Sequence, residues 1–182
     1  MTDIGAWPDH LLDLDEWSAL GENTSRRIEL VEGVLVVAPR PLPRHQMVVT
    51  QLASLLDARL RPRWRAVAEL EILVDAGPPP TVRVPDVVVF RASRLWGGPT
   101  LDPADVLAVA EVLSPGSRRT DRVAKLADYA DAGIEYYLVV DPGPPVSLVE
   151  YRLEVGAYAL VAHHEGRADL ALGPTVDLDT LL

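Results

Sequence analysis

Two acidic residues in this sequence lie within apolar runs that are predicted to be buried strands. Asp86 lies in the apolar run VPDVVVF (84–90), and Glu111 lies in the apolar run VLAVAEVL (106–113). Each run is short, rich in Val and Leu, and without clean polar alternation, which is typical of strands buried on both faces. An ionised carboxylate in such a strand costs free energy unless it is paired or binds a cation. The two acids are therefore the best functional clue in the chain.

Lys125 is the third residue that could take part in this chemistry. If the two strands are neighbours, Asp86 and Glu111 can meet at one end of the sheet. Their oxygens, together with the Val112 carbonyl, water and a phosphate oxygen, would suit Mg²⁺ or Mn²⁺. Lys125 could balance the carboxylates, touch a phosphate oxygen and position or deprotonate a water. The plainer alternatives stay open: Asp86 caps a turn after Pro85, and Lys125 forms an ordinary ion pair with Glu111 or with acids on its own helix.

The predicted elements form a mixed α/β framework around these residues. A strand at 106–113, a helix from about 120 to 131 and a strand at 134–140 make a βαβ crossover, so these strands are predicted to be parallel. The other predicted elements are a short helix within 11–20, a hairpin of 28–33 and 34–39, a helix at 45–60, strands at 69–74 and 82–90, an irregular connection at 91–105, and a tail hairpin of 146–153 and 157–166.

The helix at 120–131 has two sides that differ in polarity. Its polar side is predicted to carry Arg122, Lys125 and Tyr129, which are spaced i, i+3 and i+7. Its apolar side is predicted to face the sheet through Val123, Leu126, Ala127 and Ala130. Lys125 is therefore expected on the polar side of the helix.

Composition and charge limit the class of protein. The 182 residues are enough for one domain with a core, so a single domain over 1–182 is predicted, with residues 1–25 as an N-terminal arm. No apolar run is long enough for a membrane span, and the N-terminal residues lack the pattern of a signal peptide. The absence of Cys excludes disulfides and thiolate metal sites and suits a cytoplasmic protein. The net charge of −10 argues against indiscriminate adhesion to nucleic acid, but not against a local basic groove.

An ordered set of short motifs resembles a known family. The motifs are RIELVEG (27–33), PRHQ (43–46), PD (85–86), EVLSP (111–115), KLADY (125–129), GIEYY (133–137) and VDP (140–142). Together they resemble the Uma-type family of bacterial proteins classed as restriction endonucleases, within the PD-(D/E)XK nuclease superfamily. The resemblance covers roughly residues 26–160, and although each motif alone is weak, their order along the chain is specific.

The resemblance implies a fold and an activity. The fold would be a restriction-endonuclease-like core, a mixed sheet flanked by helices, here with N-terminal and C-terminal β-hairpins. The activity would be magnesium-dependent hydrolysis of phosphodiester bonds in DNA, with Asp86 and Glu111 as the metal-binding acids. The lysine that normally follows the glutamate by two residues is replaced by Leu113. Lys125 is the natural substitute, although the departure leaves open whether the site is active.

Four further residues are expected near this site or, alternatively, in structural roles. His45 could contact a phosphate or hold Glu111, or be an inward histidine at a helix start. Glu69 or Glu71, on the strand before Asp86, could add a carboxylate to the metal shell, although a solvated strand face is the favoured interpretation. Glu29 is a site neighbour by family resemblance and a hairpin residue by default.

Five arginines are candidates for contact with nucleic acid. Four of them fall within seven residues, and the fifth lies on the helix that carries Lys125; they are Arg59, Arg61, Arg63, Arg65 and Arg122. Such a run could track a phosphate backbone, but it is more often a solvated helix end. His163 and His164 in the tail hairpin have no second ligand cluster at zinc spacing and are interpreted as surface residues.

Other functions compete with the DNA endonuclease prediction. The main alternative is a non-catalytic module on the same fold that binds nucleic acid or a protein, and a hydrolase for a smaller phosphodiester is another. The intact Asp86, Glu111 and Lys125 favour the enzyme, whereas the acidic total and the lack of a DNA-reading motif favour the module. A homodimer is also expected from the resemblance, since two sites could then cut two strands.

Overall fold

A computed structural model gives the arrangement of residues 7–21, 26–114 and 118–182, with the side chains of 118–122 outside the description. Within these ranges the helices are α1 (Leu14–Leu20), α2 (Pro43–Leu60) and α3 (Arg118–Asp131). The strands are β1 (Ile28–Val31), β2 (Val34–Val37), β3 (Trp64–Ala68), β4 (Glu71–Asp75), β5 (Thr81–Arg83), β6 (Val87–Arg91), β7 (Thr100–Leu101), β8 (Val106–Val112), β9 (Tyr136–Asp141), β10 (Ser147–Glu154), β11 (Ala157–Glu165), β12 (Arg167–Asp169) and β13 (Thr175–Asp177). This mixture of helices and mixed sheets confirms the predicted fold class.

The larger sheet has six strands in the order β11-β10-β9-β8-β6-β3. Strands β6 and β8 are antiparallel neighbours, and β8 and β9 are parallel, as the βαβ prediction required. The residues of β6, β8 and β9 are almost all buried, because helices cover both faces of the sheet. Helix α2 packs on one face through Val48, Leu52 and Leu56, and α3 packs on the other through Leu126 and Tyr129.

The second sheet has five strands in the order β2-β1-β5-β4-β7 and contains the predicted N-terminal hairpin. Glu32 and Gly33 form its turn with φ of 49° and 77°, as a tight hairpin turn requires. Strand β5 belongs to this sheet and leads directly into β6 of the larger one. The segment between them, Val84 to Asp86, therefore lies where the two sheets meet.

The single strand predicted over 82–90 is wrong, because the segment forms two strands in different sheets. Strand β5 ends at Arg83 and β6 begins at Val87. Pro85 has no N–H to donate to a ladder, so a central strand breaks there readily. The apolar run continues through this break because Val84, which lies between the two strands, is itself buried and only 6% exposed.

The region before it also differs from the prediction. The strand predicted from residue 69 begins at Glu71, since Glu69 adopts a left-handed conformation with φ of 54°. Strand β3 was not predicted at all, because its first residues lie in the arginine run that was interpreted as a helix end. It pairs with β6 through Trp64–Arg91 and Ala68–Val87 and forms one edge of the larger sheet.

The predicted orientation of helix α3 is correct for two residues and wrong for four. Leu126 packs on the sheet and Ala130 is buried, as predicted. Lys125 and Tyr129 are buried as well, at 4% and 0% exposure, whereas Val123 and Ala127 are exposed. Buried carboxylates beneath the helix explain the difference, because they favour a cation and a hydroxyl donor over an apolar side chain.

The length and apolarity of the helices bear on membrane insertion. In the part of the chain that the structure describes, none of the helices is both long and apolar enough to cross a membrane. The longest, α2, has 18 residues and mixes apolar with polar side chains along its length.

Candidate active site

Asp86 and Glu111 lie opposite each other at the ends of two neighbouring strands. The register of β6 and β8 pairs Val87 with Ala110 and Val88 with Val109. Continued by one residue, this register places Asp86 across from Glu111. Directly opposed residues of an antiparallel pair have Cβ atoms about 4.5–5.5 Å apart. Both acids are 1% exposed, so two carboxylates share a buried position at the end of the sheet.

Asp86 is held by donors from three parts of the chain. The Val112 N–H donates to Oδ2 at 2.7 Å, and His45 Nε2 lies 3.2 Å from the same oxygen. The Arg27 guanidinium donates to Oδ1. Burial by itself raises the pKa of Asp86, but the His45 hydrogen bond and the Arg27 charge outweigh it and lower the pKa to about 2. Asp86 is therefore a carboxylate at neutral pH.

Glu111 points toward α3, where two donors converge on one of its oxygens. Lys125 Nζ and the Tyr129 hydroxyl each donate to Oε1 at 2.7 Å. Burial, together with the negative charges of Glu111 and Glu29, raises the pKa of Tyr129 well above its usual value. Tyr129 is thus a neutral donor at any physiological pH, and Lys125 carries the neutralising charge.

A third buried acid, Glu29 of β1, supports Lys125 from the other side. Its Oε1 lies 3.2 Å from Lys125 Nζ and accepts the Val84 N–H at 3.1 Å. Its Oε2 accepts from Arg83 Nη1 at 2.9 Å, and Arg83 also donates to Asp128 at 2.8 Å. Burial would raise the pKa of Glu29, but the charges of Lys125 and Arg83 exceed that effect and lower it. Lys125 therefore lies between the carboxylate groups of Glu29 and Glu111.

The other three predicted site neighbours, His45, Glu69 and Glu71, differ in whether they contact the residues of this cluster. His45 contacts Asp86 rather than Glu111, and its buried Nδ1 has no hydrogen-bond partner among the residues that the structure describes. Glu69 is exposed and lies 3.8 Å from Arg27, at the rim of the site. Glu71 belongs to the five-stranded sheet and accepts a hydrogen bond from Thr100.

The arginine run divides into tethered and exposed side chains. Arg61 and Arg65 both donate to Asp57 of α2. Arg63 lies over the Trp64 ring, with 5.5 Å from its guanidinium carbon to the ring centroid, and Arg59 is exposed in the last turn of α2. The side chain of Arg122 lies outside the described residues.

Leu113 occupies the position two residues after Glu111, where the family resemblance led us to expect a lysine. It is 1% exposed and packs in an apolar cluster with Ile134, Tyr137 and Val139. A lysine there would lose its hydration among apolar side chains. The ammonium group reaches Glu111 from α3 instead.

Three contacts of the site were not predicted from the sequence. They join Arg27 to Asp86, Arg83 to Glu29 and the Tyr129 hydroxyl to Glu111. Arg27 lies in a motif that matched the family, and Tyr129 follows Lys125 by one helical turn. Those two signals were present in the sequence, whereas no local pattern indicates that Arg83 meets Glu29, 54 residues away.

The oxygen atoms available at this site suit one Mg²⁺-like cation that also binds water and substrate, rather than a metal ion enclosed by protein side chains alone. Among the described residues, no group of three or more acids or histidines could hold a metal ion. Mg²⁺ usually binds one or two carboxylates and completes its shell with water and substrate phosphates. Asp86, Glu111 and the Val112 carbonyl would supply oxygen ligands of this kind. Arg27 would have to move away from Oδ1 for the cation to bind there.

Comparison with known proteins agrees with this architecture. A crystal structure from Anabaena variabilis ATCC 29413, described as "a putative nuclease belonging to DUF820", is 22% identical to this chain, with a TM-score of 0.64. The likeness covers 94% of this chain and 93% of that one, and it shows that the two share a fold. Comparison with curated proteins found no match. The model of the Uma2 family, described as "Putative restriction endonuclease", matches residues 9–180, and the chain therefore belongs to that family.

Proposed function

We propose that the chain is an endonuclease that uses Mg²⁺ or Mn²⁺ to hydrolyse phosphodiester bonds in DNA, with Asp86, Glu111 and Lys125 as its catalytic residues. The observation that carries the proposal is the convergence of two buried acids and one buried ammonium at the end of β6 and β8. The family description, which names a restriction endonuclease, supports the same activity.

The chain's own groups have separate roles in this proposal. Asp86, with its pKa lowered to about 2, supplies an ionised oxygen ligand at every physiological pH. Lys125 offers an ammonium that touches a phosphate oxygen and orients the attacking water. Tyr129 and Glu29 act as positioning residues, since one orients Glu111 and the other holds Lys125.

The expected cation would be held by Asp86, Glu111 and the Val112 carbonyl. When bound, it would neutralise charge on the phosphate and lower the pKa of a bound water. The Val112 N–H points to Asp86, and in an extended strand the N–H and C=O of a residue point to the same neighbouring strand. This geometry supports the inclusion of the Val112 carbonyl in the ligand set.

Arg27 is well placed to exchange its partner when substrate arrives. Its guanidinium donates a hydrogen bond to Asp86, and a phosphate bound beside Asp86 would be an equally suitable acceptor. The exchange would leave Oδ1 of Asp86 open to the cation and would add a positive charge at the scissile group.

A non-catalytic binding module is the second candidate function. The observation in its favour is that both acids already have cationic partners in the chain, Arg27 for Asp86 and Lys125 for Glu111. Such a cluster is electrostatically balanced without a metal ion. Cleavage activity separates the two candidates, because the module would bind without cutting.

Three features of the whole protein belong to the same proposal. We expect residues 1–182 to behave as one domain, and we expect the protein to act in the cytoplasm, which suits a chain without Cys. A homodimer would place two sites on the two strands of a duplex. Light scattering of the purified protein with and without DNA tests the dimer.

The activity is tested by incubating the purified protein with supercoiled plasmid, linear duplex and single-stranded DNA in Mg²⁺, Mn²⁺ or Ca²⁺. We expect cleavage with Mg²⁺ and Mn²⁺, products that carry a 5′-phosphate, and no cleavage in EDTA. If none of these substrates is cut under any of the divalent ions, the endonuclease proposal fails and the binding module takes its place.

A further inference from the structure

A second surface with distinctive chemistry lies at the far end of the same strands. It combines the half-buried ring of Trp64 and the exposed ring of Trp96 with guanidinium groups from the end of α2, from the turn before β3, from the end of β6 and from the 3-10 helix Ala92–Trp96 that follows it. We call it the Arg–Trp patch, and its residues are Arg61, Arg63, Trp64, Arg91, Arg94 and Trp96.

The patch is built on paired backbone rather than on loose loops. Strand β3 pairs Trp64 with Arg91 of β6, and the Ala92 N–H donates to the Arg63 carbonyl at 3.0 Å. The guanidinium carbons of Arg63 and Arg91 lie 5.5 and 5.0 Å from the centroid of the Trp64 ring. These distances are those of cation–π contacts, which hold guanidinium groups in a defined orientation.

Trp96 is the most unusual residue of the patch. Its side chain is 96% exposed, more than any other tryptophan among the exposed large apolar residues of the described chain. The Gly97 N–H donates to the Arg94 carbonyl at 2.9 Å and closes the 3-10 helix just after Trp96. An indole held in water on a closed turn exposes a large apolar surface without covering any core, which is typical of a residue that binds a partner.

The charge of the patch opposes that of the whole molecule. Its four arginines face two carboxylates, because Asp105 lies 3.8 Å from Arg91 and 3.2 Å from Arg94, and Asp57 pairs with Arg61. The local net charge is therefore +2 in a chain whose net charge is −10. A polyanion would be attracted to this surface and repelled by much of the rest of the molecule.

The patch and the candidate active site lie at opposite ends of β6. Asp86 precedes this strand and Arg91 ends it, so the two residues are about 17 Å apart at roughly 3.4 Å per residue. The strand between them is buried under helices on both faces. The patch is therefore a surface of its own, separate from the buried acids.

We infer that the Arg–Trp patch binds a single-stranded segment of nucleic acid, with its arginines on phosphates and an unpaired base stacked on Trp96. The bases of a duplex are already stacked on one another, whereas an exposed indole can stack only on a base that is unpaired. The inference deepens the proposed nuclease function, on which it rests for the identity of the ligand. Binding at the patch does not require Asp86 or Glu111.

The test measures binding of fluorescent dT20 and of a 20-bp duplex by anisotropy, in EDTA so that no cleavage occurs. We expect Trp96→Ala to weaken dT20 binding about ten-fold or more and to change duplex binding less than two-fold. Trp96→Phe should restore most of the affinity, because it retains a stacking ring. Arg63→Ala and Arg91→Ala should each reduce the slope of log K against log salt for dT20 by about 0.7.

Two matched controls come from surfaces away from the patch. Trp7→Ala removes another exposed indole, and Arg152→Ala removes an exposed arginine that lies over Tyr136 and pairs with Glu135. Neither should change dT20 binding more than two-fold. The inference is overturned if wild type does not bind dT20 at low salt, if Trp96→Ala binds it as well as wild type does, or if either control loses as much affinity. Failure of cleavage alone, with dT20 binding as expected, would contradict only the proposed function.

Discussion

At the scale of single residues, the candidate site is a set of buried charges that satisfy one another. Asp86, Glu111 and Glu29 are each ionisable groups with less than a tenth of their surface exposed, and each has a cationic partner from another element. Breaking one member of such a cluster leaves an uncompensated buried charge, which is usually costly. A substitution in this cluster should therefore lower the free energy of unfolding most when it leaves the partner of the removed group buried and unpaired.

Asp86 gives a prediction for the dependence of stability on pH. Its pKa is lowered from an ordinary value of 3.8 to about 2. Its contribution is thus fully present above about pH 4 and is lost as the pH falls through about 2. A shift of this size corresponds to about 2 kcal/mol. Urea unfolding between pH 5 and pH 2 should show wild type losing about 2 kcal/mol more than Asp86→Asn, and parallel curves for the two proteins would contradict the assignment.

Tyr129 gives a prediction for hydrogen bonding to a charged acceptor. Tyr129→Phe removes a 2.7 Å hydrogen bond to Glu111 and should lower the free energy of unfolding by about 1.5–3 kcal/mol. Tyr158→Phe is the matched control, because its hydroxyl donates at the same distance to the neutral Ile134 carbonyl. That control should cost about 0.5–1.5 kcal/mol. An equal or larger loss in Tyr158→Phe would mean that Tyr129 does not support an ionised Glu111.

At the scale of elements, the sequence predicted best where the pattern is local. The buried runs, the helix between them and the parallel pairing of β8 and β9 followed from the apolar runs and from the short strand–helix–strand crossover. The tail hairpin and the β1–β2 hairpin followed from short β-rich runs and a turn with glycine. Each of these features depends on contacts within about 35 residues, which is why a single sequence indicates them.

The failures at this scale come from interactions between distant residues. Lys125 was predicted on the polar side of α3 because its acids, Glu111 and Glu29, are not on that helix. The break at Pro85 was missed because burial by two different sheets gives one continuous apolar run. The approach of Asp86 to Glu111 was predicted only on the condition that their strands are neighbours, because strand order is set by distant parts of the chain. The hydrogen bond from Arg83 to Glu29 was not predicted for the same reason.

The joint between α2 and β3 gives a prediction for the arginine run. Asp57 accepts hydrogen bonds from Arg61, from Arg65 and from the buried Ala66 N–H. Asp57→Ala should lower the free energy of unfolding by about 2–4 kcal/mol, because it leaves a buried donor unpaired.

Asp105→Ala is the control for this joint, since Asp105 is partly exposed and its contacts with Arg91 and Arg94 are 3.8 and 3.2 Å. It should cost less than about 1 kcal/mol. Equal losses in urea unfolding for the two variants would indicate that the run is a solvated helix end without a structural tether.

At the scale of the whole molecule, the candidate site lies where two sheets and two helices converge. Strand β5 brings Arg83 from one sheet, and β8 brings Glu111 from the other. Asp86 lies directly before β6, α2 brings His45 and α3 brings Lys125. A constellation drawn from so many elements is held rigidly, as catalysis by positioning requires. It also means that the site forms only when the larger fold is complete.

A comparison of nicking rates tests most directly whether Asp86 and Glu111 form the active site of a DNA endonuclease. Nicking of supercoiled plasmid in Mg²⁺ is measured for wild type, for Asp86→Asn and for Glu150→Gln. Glu150 is a fully buried acid on β10 of the same sheet, and the residues that it contacts, Ala171 and His164, lie outside the site. We expect a loss of at least about 100-fold for Asp86→Asn and nearly full activity for folded Glu150→Gln. Equal nicking by Asp86→Asn and wild type would contradict the proposed role of Asp86.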